Sequence, residues 1–129
     1  MIALDASALL AFLFREEGHE RVRAHIERCC LSAVNLSEVI GRFVRDGHPG
    51  EQVRSRIAAT SIEIVPFFES DAARAASLLP ATQPLGLSLG DRACLALALA
   101  RKIPALTADR SWKSLAIGVS VQVIRGQGP

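Results

Sequence analysis

The chain has 129 residues, half of them hydrophobic and 22% charged, which fits one domain with a sizeable core and excludes a disordered chain. A formal net charge of only +2 excludes a global field for nucleic acid, so any RNA contact needs local basic clusters. No apolar run is long enough to span a bilayer, and Asp5 interrupts any leader that starts at Met1, so no membrane role and a cytoplasmic location are expected.

In chain order, Ile2 to Leu4 reads as a short buried strand and Ala6 to Phe14 as a helix that Gly18 breaks. Val22 and Ile26 mark a second helix, and "CCLSAV" (Cys29 to Val34) a second buried strand. Leu36, Val39, Ile40, Phe43 and Val44 repeat at helical spacing until "DGHPG" (Asp46 to Gly50) stops them. Val53, Ile57 and Ala58 suggest another helix, and "IEIVPF" (Ile62 to Phe67) a third strand. Ala72 to Leu79 is helical up to Pro80, and Ala81 to Leu87 is a loop. Ala93 to Ala100 is apolar on every side, so its helix, beginning near Ser88, should be buried. Ala105 to Thr107 and Val121 to Ile124 complete the strands. Strands alternating with helices predict a parallel sheet covered on both faces. Cys29, Cys30 and Cys94 lack metal-ligand spacing and read as buried small hydrophobes in a reducing cytosol; Cys29 and Cys30 should face opposite ways.

In such a sheet the strands end at one edge, and the returning helices begin there. Asp5 follows the first strand, and Glu38 falls in the first turn of the helix after the second. Asp91 falls in the first turn of the buried helix, and Asp109 follows the fourth strand. All four acids therefore belong at the carboxyl edge, where open α/β sheets place their sites. Helix capping explains each acid singly: "NLSE" (Asn35 to Glu38) and "SLGD" (Ser88 to Asp91) resemble capping boxes, and Asp5 and Asp109 suit N-caps. Capping does not explain their gathering. Two unit charges about 5 Å apart repel by roughly 3 kcal/mol at an effective dielectric near 20. An oxygen-only set without His or Cys suits a hard cation, Mg²⁺ or Mn²⁺.

The stretches "LDASALLA" (Leu4 to Ala11), "NLSEV" (Asn35 to Val39), "LSLGDRACLALA" (Leu87 to Ala98) and "LTADRSW" (Leu106 to Trp112) resemble the four acidic motifs of PIN-domain ribonucleases. Their order and spacing are most similar to the VapC-type toxins of toxin–antitoxin pairs. The resemblance implies one PIN-like domain over residues 1–129, a three-layer α/β/α sandwich around a parallel sheet of four or five strands. It implies metal-dependent hydrolysis of RNA phosphodiesters, with Asp5, Glu38, Asp91 and Asp109 as the catalytic acids. Asp5, Asp91 and Asp109 are then the Mg²⁺ or Mn²⁺ ligands, and Glu38 either completes the shell or positions the attacking water. It implies a homodimer and a cognate antitoxin partner as well.

Ser7 and Thr107 either orient a carboxylate or cap helices. Arg92, Arg110 and Lys113 flank the acids and either meet RNA phosphate or sit on solvated helix ends. Trp112 either stacks on a base or closes the core. Phe12, Phe14 and Phe43 either line a groove for a partner or pack inside. His19, His25 and His48 read as surface residues. A non-catalytic PIN-like module that binds RNA or protein is the alternative function. A phosphorelay receiver would need an acidic pair after the first strand and an acid after the third, and "IVPF" (Ile64 to Phe67) has none. A haloacid-dehalogenase-type phosphatase would need an aspartate where Ser7 stands.

Overall fold

The computed structural model describes residues 1–126. Five strands form one sheet: β1 (Ile2–Leu4), β2 (Cys29–Ser32), β3 (Glu63–Val65), β4 (Ala105–Thr107) and β5 (Val121–Val123). Their order is β3-β2-β1-β4-β5, and every neighbouring pair is parallel. Among the described residues seven α-helices connect them: α1 (Ala6–Phe14), α2 (His19–His25), α3 (Ala33–Arg45), α4 (Gly50–Ala58), α5 (Glu69–Ser77), α6 (Leu79–Thr82) and α7 (Leu89–Arg101). None of them is long and apolar enough to cross a membrane.

The strand pleat divides the core in two. Ile2, Leu4, Cys29 and Leu31 face one way and pack with Leu9, Val22, Val39 and Ile57 from α1 to α4. Ala3, Cys30 and Ala105 face the other way, against Ala75 of α5, Cys94, Leu95 and Ala98 of α7, and Trp112. The fold is the expected three-layer sandwich, with Cys29 and Cys30 on opposite faces. Small residues on the second face let α7 lie close to the sheet, buried from Ala93 to Ala98.

Several boundaries differ from the sequence reading. β2 ends at Ser32, whose hydroxyl accepts the Val34 N–H at 3.2 Å and starts α3 at once. Ala33 and Val34 are therefore helical, and Glu38 stands in the second turn rather than the first. α1 ends on Arg15 in the left-handed conformation (φ 54°), before Gly18 is reached. Gly18 instead precedes α2 with φ 92°, and a Cβ there would collide with the Ile124 carbonyl. Gly50 opens α4 rather than closing α3, because Pro49 is its N-cap. Pro80 lies in the first turn of α6, where a missing N–H costs nothing, and Ala81 to Leu87 contains the rest of α6 and a 3-10 turn (Gln83–Leu85). A further 3-10 turn, Arg110–Ser114, follows β4.

The topology fixes the direction of α7. Arg101 in its last turn makes paired 2.8 Å hydrogen bonds to Glu63, the first residue of β3. That end of α7 is at the amino edge of the sheet, so its beginning, with Asp91, is at the carboxyl edge.

Candidate active site

Asp5 is 2% exposed, an unusual depth for a carboxylate. It caps α1 by accepting the Ala8 N–H at 2.8 Å. The Ser7 hydroxyl lies 2.8 and 2.9 Å from its two oxygens, and the Thr107 hydroxyl donates to Oδ2. The direction of those bonds follows from the backbone. The Ala108 N–H donates to Ser7 Oγ at 2.9 Å, and the Asp109 N–H to Thr107 Oγ1 at 3.1 Å. Each hydroxyl oxygen is thus occupied as an acceptor, which leaves its proton for Asp5. Burial still dominates and pushes the Asp5 carboxyl up to about 6, against the opposing effect of its hydrogen bonds; the charge of Asp91 adds to the rise.

Asp91 and Ser88 form the expected reciprocal cap. Ser88 N–H donates to Asp91 Oδ2 at 2.8 Å, and Asp91 N–H to Ser88 Oγ at 3.2 Å. Asp109 caps the 3-10 turn: its Oδ1 accepts the Ser111 N–H at 2.9 Å and the Ser111 hydroxyl at 2.8 Å. "NLSE" is not a capping box, since Ser32 already holds the N-cap. Asn35 instead donates from Nδ2 to Glu38 Oε1 and to the Gly90 carbonyl, both at 2.9 Å. This bond ties α3 to α7 across the carboxyl edge, and it was not read from the sequence. Its one sequence trace is an asparagine three residues before an acid inside a helix.

Capping and cation binding are therefore not exclusive here. The local bonds use Oδ2 of Asp91, Oδ1 of Asp109 and Oε1 of Glu38. Among the described residues the second oxygen of each carboxylate accepts no hydrogen bond. The donor set is all oxygen, and a buried carboxylate beside a second negative charge is stabilised by a hard cation, so the residues fit Mg²⁺ or Mn²⁺ chemically. Among the described residues no three acidic, His or Cys side chains are drawn together into a ready cation cluster.

The flanking residues divide. Arg92 does not lie on a solvated helix end; it is half-buried and reaches the Ala75 carbonyl of α5 at 3.3 Å. Arg110 and Lys113 are exposed, and Arg110 lies against Gly126. Trp112 is fully buried in the second core and offers no face for a base. Phe14 is exposed and stacks on Phe43, with the Arg42 guanidinium over its ring. Next to them a groove of about 370 Å³, lined by Leu13, Phe43, His48, Pro49, Val53 and Ile57 among others, shares no residue with the acids.

The first and fourth strands of this parallel α/β sandwich are followed by Asp5 and Asp109, and Glu38 and Asp91 lie near the starts of α3 and α7, so the carboxyl edge of the sheet is lined by acids. The chain belongs to the PIN-domain family: the PIN domain model matches residues 2–118. No curated protein matches the sequence. Solved structures that it resembles include a toxin–antitoxin complex from Klebsiella pneumoniae (TM-score 0.74, 17% identity, 97% of this chain and 98% of that one). Another is VapC20 of Mycobacterium tuberculosis, described as a sarcin–ricin-loop-cleaving toxin (TM-score 0.72, 18% identity, 93% and 99%). A third is the DNA-bound VapBC of Salmonella typhimurium (TM-score 0.68, 17% identity, 97% and 100%). At these identities the likeness is one of fold.

Proposed function

We propose that the protein is a metal-dependent endoribonuclease and the toxin of a toxin–antitoxin pair. The observation that carries this reading is Asp5, a buried carboxylate held by Ser7 and Thr107 at the carboxyl edge, within electrostatic reach of Asp91. Capping alone would not require so deep a charge. Asp5, Asp91 and Asp109 would hold Mg²⁺ or Mn²⁺. A divalent ion bound there supplies charge neutralisation for the scissile phosphate and a lowered pKa for water. Ser7 and Thr107 fix the rotamer of Asp5. Glu38 completes the acidic set, either as a further ligand or by orienting the attacking water. In the proposed reaction water adds to phosphorus, the bond to the 3′ oxygen breaks, and the fragments end in a 3′-hydroxyl and a 5′-phosphate. Arg110 and Lys113 are exposed and suit the RNA backbone. The Arg92 guanidinium, turned toward α5, contributes less.

The proposed partners are a homodimer mate and a protein antitoxin. The exposed Phe14 and the apolar groove beside Phe43 support a protein partner. The antitoxin would place a basic side chain over the acidic edge in place of the cation.

The test uses purified protein and total RNA with Mn²⁺ or EDTA. Parent protein should cleave only with metal, leaving 5′-phosphate ends. Asp5→Asn and Asp91→Asn should each abolish cleavage, and growth arrest on expression, while the fold persists by circular dichroism. Full cleavage by both variants overturns the catalytic assignment of these acids, and no metal-dependent cleavage by the parent overturns the nuclease reading. Co-purification with the product of an adjacent gene, relieving cleavage, tests the antitoxin, and light scattering tests the dimer.

A further inference from the structure

We propose that Asn35 is a positioning residue: together with Gly90 it clamps the Glu38 carboxylate against the first turn of α7, beside Asp91. The catalytic consequence rests on the nuclease reading above, whereas the clamp itself is a matter of geometry. Asn35 is 1% exposed, and both of its donor bonds are used, one on Glu38 Oε1 and one on the Gly90 carbonyl. Its orientation is forced. Both partners are acceptors, so turning the amide over would put Oδ1 against a carboxylate and a carbonyl. The orientation leaves Oδ1 buried without a hydrogen-bond partner. A buried acceptor left unpaired is costly, and it is tolerated here because the opposite orientation would be worse.

Gly90 supplies the second half of the clamp. A Cβ at this position would overlap both oxygens of Glu38, so the carboxylate sits where a side chain would otherwise be. Glu38 is exposed, on α3, and a free glutamate at such a place would sample many rotamers. Instead it is held from one side by an amide and admitted on the other by a missing methyl. Because α3 and α7 pack on opposite faces of the sheet, this contact joins the two helices where the sheet ends. The residue after Gly90 is Asp91. The clamp therefore sets the spacing between two acids that come from distant segments.

The test is a double-mutant cycle of Asn35→Leu and Glu38→Ala, read first in EDTA by urea unfolding. Asn35→Leu strands the Gly90 carbonyl in both backgrounds, and that loss cancels in the cycle. The expected result is a coupling of about fivefold in the folding equilibrium constant, the scale of one net hydrogen bond. Additive losses overturn the clamp. The second readout is Mn²⁺ affinity by calorimetry, with the metal alone as probe, together with kcat and KM on RNA. Whichever of these Glu38→Ala lowers, Asn35→Leu and Gly90→Ala should lower by about tenfold. Neither should lower it further when combined with Glu38→Ala. Equal losses in both backgrounds would make Asn35 a stability residue only and overturn the proposal. Parent-like Mn²⁺ binding and cleavage by Asp5→Asn and Asp91→Asn would instead overturn the assignment of the acids as the metal-holding catalytic set, and the coupling in EDTA would still decide the clamp.

Discussion

Thr107, the last residue of β4, donates its hydroxyl to Oδ2 of Asp5, the residue that follows β1, across 102 positions of sequence. Strand pairing makes the meeting obligatory. Leu4 sits opposite Leu106, and the Asp5 N–H donates to the Leu106 carbonyl at 3.2 Å, so the next residues on both strands emerge side by side. The bond is charge-assisted and buried, which places its loss at about 1–3 kcal/mol. Thr107→Val, which keeps the shape but not the hydroxyl, should lower the urea midpoint accordingly. Thr107→Ser should retain most of the stability. Equal stability of Thr107→Val and parent at pH 7 would show that Asp5 does not depend on this donor.

The raised Asp5 carboxyl gives the metal-free protein a definite pH dependence. Burial lifts it from 3.8 to about 6. Between those values the folded chain keeps a proton that the unfolded chain has released. Unfolding therefore releases a proton, and stability falls as pH rises from about 4 to about 6, then levels off. The rise from 3.8 to about 6 corresponds to roughly 3 kcal/mol. In EDTA, urea unfolding at pH 4.5, 5.5 and 7 should show this decline superposed on the other groups. Asp5→Asn, neutral throughout, should remove that component. An unchanged slope in the variant would assign the pH dependence elsewhere.

The sheet and its helices were legible because their signals are local. The short apolar run at Ile2 to Leu4, the all-apolar stretch from Ala93 and the Ser88–Asp91 cap each state their own structure. The edge placement of Asp5, Glu38, Asp91 and Asp109 followed from topology alone; their expected gathering did not follow, since among the described residues no three of these side chains form a cation cluster. Two details were not legible. Asn35 sits one turn before Glu38, where a polar side chain inside a helix resembles a cap. Only the Ser32 bond to Val34 shows that the helix has already begun. Arg92 stands next to an acid in sequence, yet a helix turns by 100° per residue, so the two point apart and Arg92 reaches α5. What sequence spacing withholds is direction.

The thiols offer a test of the two-sided core. Cys94 is fully buried, and burial pushes its thiol well above the ordinary value. Cys30 rises for the same reason, and Cys29 is pushed up to about 11. Thiolate, not thiol, attacks disulfide reagents. The native protein at pH 8 should therefore react slowly with an aromatic disulfide reagent, and all three cysteines should react at once in denaturing urea. Rapid labelling of a native thiol would place that cysteine outside the core.

Asp109 separates capping from cation binding most cleanly, because its two oxygens are divided. Oδ1 holds Ser111 and the 3-10 turn. Oδ2, free of hydrogen bonds among the described residues, is the atom proposed to face the cation. Asparagine reproduces the first role and not the second, since its carbonyl can cap but it brings no charge. Alanine reproduces neither. In EDTA, Asp109→Asn should unfold within a few tenths of a kcal/mol of the parent, and Asp109→Ala should cost about 1 kcal/mol. Added Mn²⁺ stabilises only the folded state that binds it, so the parent should gain melting temperature with millimolar Mn²⁺. Both variants should gain much less. The informative pair is Asp109→Asn with and without metal, since its cap is intact and only its charge is gone. A Mn²⁺ shift as large in Asp109→Asn as in the parent would remove Asp109 from the cation site and leave it as the N-cap of the turn.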